Sequence, residues 1–394
     1  MWKVTKLEKV CKIISGNSIP TKKKEEHFMG VEGIPYVATK DVGFDGSINY
    51  ENGIYIPEEY RNNFKTSPVG ATLVCAEGGS AGRKIAFSNE ECCFVNKLFS
   101  LQPDEKIIPK FIYYYTLSIE FQTQFKKAMH GLIGGVSLSK IKGFSISIPP
   151  VSKQQRIVAK LDAAFAEIEL QIQTAKKTIT LSETNLANFI DAKTAGDSSW
   201  TEFKVMDLGV VQTGNTPKTS QKDNYGEEIP FIKPPHFNSD GTITIVDDGL
   251  TPKGSKQSRI AAANSVLMVC IGATIGKVGV NNVDACFNQQ INSLTPSEEF
   301  DVELICWQMR GRRFQSDVLY KAGQATLPII NKSKWQNLFI FLPQSKDEQI
   351  KIGQQLRELN TETEKLIANK ARKIDNLQKL KSAILAKELQ SEAA

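Results

Sequence analysis

SKQQRIVAKLDAAFAEIELQIQTAKKTITLSETNLANFIDAK, residues 152–193, decides the fold. Read at spacings of four and three, it places Leu161, Phe165, Ile168, Ile172, Ala175, Ile179, Ser182, Leu186 and Phe189 on one stripe. Such a stripe marks a helix that packs along another helix. A second one runs through Ile352, Leu356, Leu359, Thr363, Leu366, Lys370, Lys373, Leu377, Leu380 and Ile384. A helix of about 40 residues rises roughly 60 Å, longer than the face of a small domain, so each is expected to find a helical partner. The polar entries Thr363, Lys370 and Lys373 weaken a two-helix seam and mark where register is set or another partner faces it.

Each stripe follows a globular segment of about the same length, and the landmarks of the first segment recur in the second. Gly16-Asn17 answers to Gly214-Asn215, Gly33-Ile34-Pro35-Tyr36 to Glu228-Ile229-Pro230-Phe231, and Asp45-Gly46-Ser47-Ile48 to Asp240-Gly241-Thr242-Ile243. Leu73-Val74-Cys75 ahead of a glycine-rich loop is matched with Met268-Val269-Cys270, and Ser100 to Pro103 with Ser293 to Pro296. Phe111 to Lys127 and Leu304 to Tyr320 read as helices that share a Phe-Gln pair. A proline ends each segment, at Pro149-Pro150 and at Pro343, ahead of a polar helix start. The chain is a duplication, with globular parts 1–151 and 195–343 and helices 152–194 and 344–394.

At 394 residues and 41% hydrophobic, the chain has material for two cores. Its start alternates lysine with apolar residues and does not read as a signal peptide. The apolar run around Val266 to Ile275 is too short to span a bilayer, so a soluble, cytoplasmic protein without membrane contact is expected. Seven cysteines without a C-x-x-C pair argue against a disulfide framework and a zinc module. The first segment is the clearly basic one, with 19 basic against 15 acidic side chains, which permits a nucleic-acid partner.

Motifs for catalysis fall short. Gly272 to Lys277 has three residues between its glycines and Val278 after the lysine, where a phosphate-binding loop needs four and a Ser or Thr. Lys233-Pro234-Pro235-His236 lacks the acidic or amide residue of an adenine methyltransferase's target-base element. No clustered carboxylates with a lysine suggest a nuclease, and the three histidines lack metal-ligand spacing. Basic and amide side chains in the loops are the candidate DNA contacts. In the first segment they are Lys22, Lys23, Lys24, Arg83, Lys84 and Lys140. In the second they are Lys218, Lys222, Lys233, His236, Lys253, Lys256, Arg259, Lys277, Gln289, Gln290, Lys321, Gln324, Lys332 and Lys334. Lysines suit phosphates and glutamines suit adenine edges. Their recurrence in both segments, as with Lys84 and Lys277, adds weight to the reading.

The ordered set resembles the DNA-specificity subunit of type I restriction-modification systems. Gly214-Asn215-Thr216-Pro217 looks like that family's opening turn and Gly272 to Lys277 like its Gly-x-x-Gly-Lys loop, with Gly79 to Arg83 a looser copy. Gln154-Gln155-Arg156-Ile157 and Asp347-Glu348-Gln349-Ile350 look like its helix starts. The resemblance implies an α+β fold, two repeated mixed α/β target recognition domains separated by two long antiparallel coiled-coil helices. Each domain would read one half of an asymmetric bipartite site in double-stranded DNA. The helix pair would set the gap and dock two modification subunits, with restriction subunits joining the complex. S-adenosylmethionine, ATP and Mg²⁺ would sit on those partners, and this chain would hold no cofactor, metal or catalytic residue. The competing classes are a coiled-coil scaffold that binds no DNA and a self-contained DNA enzyme.

Overall fold

Val266 to Val269 and Thr72 to Cys75 are buried at every position, the pattern of strands covered on both faces. A computed structural model describes residues 2–130, 134–196, 199–245, 249–323 and 327–390 of the chain. It divides into two compact units, residues 1–174 with 373–394, and residues 175–372.

The first unit builds one four-stranded antiparallel sheet in the order Cys11–Ser15, Leu98–Pro103, Thr72–Cys75, Ile85–Phe87. A second sheet runs Tyr55–Ile56, Ile34–Val37, Cys92–Phe94, Thr66–Ser67, with its middle pair parallel. A ribbon of Lys3–Lys6 and Ser145–Ile148 completes the strands. The second unit repeats all three. Its sheets are Gly209–Thr213, Ile291–Pro296, Val266–Val269, Val278–Val280 and Gly249–Leu250, Tyr225–Ile232, Ala285–Phe287, Ile260–Ala261, beside the ribbon Thr201–Lys204 with Phe339–Leu342. The stretches read as single helices are each two, Pro109–Leu117 with Ile119–Ala128 and Val302–Arg310 with Arg312–Ala322. Gln122 and Gln315 each tie the break to the glycine-rich loop. The Gln122 amide donates to Gly82 O and Thr116 O, and that of Gln315 to Gly276 O and Met309 O.

Hydrogen bonding corrects two of the matches made by residue type. Cys75 N donates to Lys84 O and Val269 N to Lys277 O, so Cys75 answers to Val269 and not to Cys270. Gly78 and Gly82 then answer to Gly272 and Gly276, and Arg83 is a one-residue insertion before Lys84. At the helix starts, Gln154 Nε2 donates to Pro149 O at 2.9 Å while its Oε1 accepts Ile108 N–H at 2.9 Å. Gln349 does the same with Pro343 O at 2.8 Å and Asp301 N at 2.9 Å. Gln154 therefore pairs with Gln349, and buried Ile157 with Ile352.

The long helices span Val151–Thr194 and Lys346–Leu389. In the first, Leu161, Phe165, Ile168, Ile172 and Ala175 are buried, with Ile179 and Leu186 half-buried, and Leu161 and Phe165 enter the core of the recognition domain. The second needs a correction. Leu356, Thr363 and Leu377 are buried, but Leu366 and Leu380 are exposed, Leu359 is half-buried and Lys373 is exposed. Asn360, Ile367, Ile374 and Lys381 form the inner flank instead. Both flanks lie within one helix face, and the apolar content of Leu359, Leu366 and Leu380 points to the wrong one. Within the first unit the helix segments run antiparallel. Lys160 pairs with Glu388, Glu169 with Lys381, and Ile168 and Ile172 pack with Leu377 beside half-buried Ile384. Within the second, Phe189 and Ile190 share a core with Ile352, Leu356 and Trp335.

All seven cysteines are buried and unpaired, and burial pushes the thiols of Cys92 and Cys270 up to about 12. Native protein at pH 8 is expected to resist iodoacetamide at every cysteine, as read by intact mass. Gln154→Leu is expected to cost the first unit about 1–3 kcal/mol in urea unfolding, because it leaves Ile108 N–H and Pro149 O without their partner.

Candidate nucleic-acid interface

Two turns and two loops meet at one edge of each unit, and backbone bonds place them identically. Asn17 N donates to Phe94 O and Asn215 N to Phe287 O, at 2.9 and 3.0 Å. A Cβ on Gly16 would lie 2.0 Å from Phe94 O and one on Gly214 2.2 Å from Asn288 O, so these turns require glycine. Ala76 N donates to Lys97 O and Cys270 N to Gln290 O. Gly78 N donates to Gly134 O and Gly272 N to Pro328 O.

On this shared frame the side chains differ. In the first unit Lys97 pairs with Glu77 at 3.1 Å, and exposed Asn96 adjoins them in sequence. In the second, the equivalents of Asn96 and Lys97 are Gln289 and Gln290. Gln289 accepts from Thr216 Oγ1, and Gln290 accepts from Asn288 Nδ2 at 3.1 Å and donates its backbone N–H to Asn288 Oδ1. Arg259 donates to Thr213 O and Asn215 to Gln257 O, bringing the 257–259 segment to the same edge.

The lysines that recur in both units serve the frame. Lys84 Nζ donates to Thr39 O at 3.0 Å and Lys277 Nζ to Phe237 O at 3.1 Å, each holding the Asp-Gly hairpin segment to the glycine-rich loop. Lys140 Nζ reaches Ala128 O and Lys334 Nζ reaches Lys321 O, at 3.4 and 3.0 Å, each at the C-terminal turn of a helix whose carbonyls attract a cation. Recurrence here reports a shared structural duty.

The remaining candidates divide by exposure. Lys22 and Lys23 are exposed on the short helix Thr21–His27. Lys24 lies 4.9 Å from the Tyr36 ring centre, where burial and then Lys40 hold its ammonium below the usual lysine range. Arg83 lies 5.1 Å from the exposed Phe44 ring. Lys218, Lys222 and Lys256 are exposed on the segments bordering the second edge. Lys253 is held by Asp223, and that hydrogen bond draws the Asp223 carboxyl below its usual range. Lys233 is half-buried over Phe231, and its backbone N–H donates to Nδ1 of buried His236 at 3.1 Å, so His236 closes the Pro-Pro turn. Lys321 and Lys332 are exposed, and Tyr320 beside them is 82% exposed. Gln324 lies outside the described residues.

Glu77, Asn96, Lys97, Asn288 and Tyr320 escaped the reading of basic loops. The signal that finds Asn96 and Lys97 is positional, a polar pair two to three residues after the buried Phe94, matched by Gln289 and Gln290 after Phe287. Among the described residues no group of His, Cys, Asp and Glu is arranged to hold a metal ion, and no helix is long and apolar enough to cross a membrane.

A family profile described as type I restriction modification DNA specificity domain matches residues 1–181 and 197–376. The chain belongs to this family. It is 32% identical over 149 residues to the HindI specificity subunit of Haemophilus influenzae, a match covering 36% of this chain and 32% of that protein. The chain thus aligns with about a third of that relative's length. Two solved structures share the fold. One is a chain from a type I restriction-modification system studied for its assembly and conformational transition, at 19% identity and a TM-score of 0.76 over 99% of this chain and 98% of that one. The other is the HsdS subunit of Thermoanaerobacter tengcongensis, at 20% identity and a TM-score of 0.58 over 99% and 97%.

In both units the frame lysines stand apart from the edge side chains, and the two should respond differently to truncation. Lys84→Ala is expected to cost about 0.5–1.5 kcal/mol of stability for a lost hydrogen bond. An unchanged urea midpoint would show that Lys84 is idle in the fold.

Proposed function

We propose that this chain is the DNA-recognition subunit of a type I restriction-modification complex and supplies the address for chemistry done elsewhere. Each recognition domain reads one half of an asymmetric bipartite site in duplex DNA. The observation that carries this is one backbone frame built twice, with different polar side chains on the same edge. Lysines and amides there have the donors and acceptors that phosphates and base edges require. Two frames with different readers imply two different half-sequences.

The helix pair is the spacer and the docking strut for two modification subunits. Those partners hold S-adenosylmethionine and methylate an adenine turned out of the duplex. Restriction subunits with ATP and Mg²⁺ complete the complex. The setting is the cytoplasm.

Mapping methylated adenines in cells that carry this chain and its partners tests the reading. Lys97→Ala is expected to relax one half-sequence and Gln290→Ala the other, each by about 1–3 kcal/mol of discrimination at the affected base pair. Changes in both halves from one substitution, or in neither, would contradict the assignment of one half per domain. Deleting one heptad from both helices, Lys176 to Ser182 and Lys365 to Ala371, removes about 10 Å of helix rise. It is expected to shorten the gap by about three base pairs and leave both half-sequences intact. A retained gap would sink the spacer role.

A further inference from the structure

Each unit seats its recognition domain on two helix segments, and the seats share a frame while differing in chemistry. In the first, Lys110 pairs with Asp162 at 2.9 Å and Tyr114 donates to the same carboxylate at 2.5 Å. In the second the polarity is reversed. Counting from the anchoring glutamines, Arg357 stands in the place of Asp162, and it pairs with Glu303, which stands in the place of Lys110.

The other helix segment of each seat differs as well. In the first unit Lys160 pairs with Glu388, whose side chain is only 12% exposed. Lys381 lies 4.8 Å from the Phe165 ring centre and 3.9 Å from Glu169. Ile119 and Ala386 line one shallow cavity. In the second unit Arg312 stands where Ile119 does, and it reaches Asp191 at 2.9 Å and Asn188 at 3.1 Å. By the same count, Leu186, Asp191 and Lys193 of the first helix are the equivalents of Lys381, Ala386 and Glu388 of the second.

These equivalences decide what a second copy would meet. If the first half were offered another first half in place of its own partner, Lys193 would face Lys160, Leu186 would face Glu169 and Asp191 would face Ile119. That is a like-charge contact, a lost ion pair and a carboxylate set against an apolar side chain. If the second half were offered another second half, Arg312 would face Ala386 and lose its carboxylate. Discrimination arises from such repulsive and unpaired groups as much as from the good contacts.

We propose that these contacts form a pairing code: each half of the chain accepts the helix end of the other half and rejects a second copy of its own. The code keeps one recognition domain of each kind in the folded protein, and it does not rest on the DNA-reading assignment.

The test uses the full chain and amide exchange over residues 381–389. The triple change Lys381→Leu, Ala386→Asp, Glu388→Lys gives the second helix the end of the first. Exchange there is expected to quicken by about tenfold or more. Adding Lys160→Glu and Ile119→Arg, which supplies a carboxylate for the new lysine and installs the Arg312–Asp191 type of pair at the first seat, is expected to restore most of the protection. Should either set misfold grossly, the single Glu388→Lys and its rescue by Lys160→Glu give the same comparison. Wild-type protection in the triple variant, or no recovery in the compensated ones, would overturn the code.

Discussion

A buried glutamine amide bonded on both sides joins each recognition domain to its helix. Gln154 and Gln349 are each 1% exposed, and each donates to the carbonyl of the proline that follows the last strand and accepts the backbone N–H of Ile108 or Asp301, at the start of the short helices of its domain. An amide in that position has little freedom to lose and no water to replace its partners, so breaking it exposes unmet donors and acceptors at full cost. One buried side chain thus ties the start of each long helix to its domain, and the apolar side chains that follow it, Ile157 and Leu161 in one helix and Ile352 and Leu356 in the other, enter that domain's core.

The duplication separates what the fold needs from what the function uses. Gln122 with Gln315 and Lys140 with Lys334 make the same bonds to the same backbone places, and Lys84 and Lys277 each bond a carbonyl of the segment that carries the Asp-Gly turn, three positions apart. A side chain kept in both halves is spent on the frame. The edge positions do the opposite, since the Glu77–Lys97 ion pair and the Asn288–Gln290 amide pair occupy one frame with different chemistry. In a protein whose halves are to read different sequences, divergence at a fixed position is the stronger functional signal. The docking pairs diverge too, but as reversed charges, which suits partner choice.

How far the sequence reached follows from the range of the interactions involved. The duplication, the mixed α/β domains and the two long helices are legible because apolar period, glycine turns and proline stops are local properties. The burial of the first stripe is legible from its apolar period. The second is not, because Leu356, Thr363 and Leu377 have an apolar flank on one side and Asn360, Ile367, Ile374 and Lys381 on the other, and hydrophobicity alone favours the former. The strand register slipped by one residue because a shared cysteine was matched, and the inserted Arg83 shows only in the hydrogen bonds.

For the candidate interface, sequence composition pointed to the basic and amide loops, and residue type singled out Gln289 and Gln290 as candidates. It could not tell a lysine that binds a carbonyl 45 residues away, as Lys84 does with Thr39, from one free to meet a phosphate. It also passed over Lys97, which gains meaning from its place opposite Glu77. By itself, then, the sequence determined that there are two copies of one domain, each followed by a helix of one length. Only the tertiary structure decided which helix flank faces inward, which lysines are committed to the frame and which charges pair across each seat. Those outcomes depend on contacts between residues far apart in the chain, and no local period encodes them.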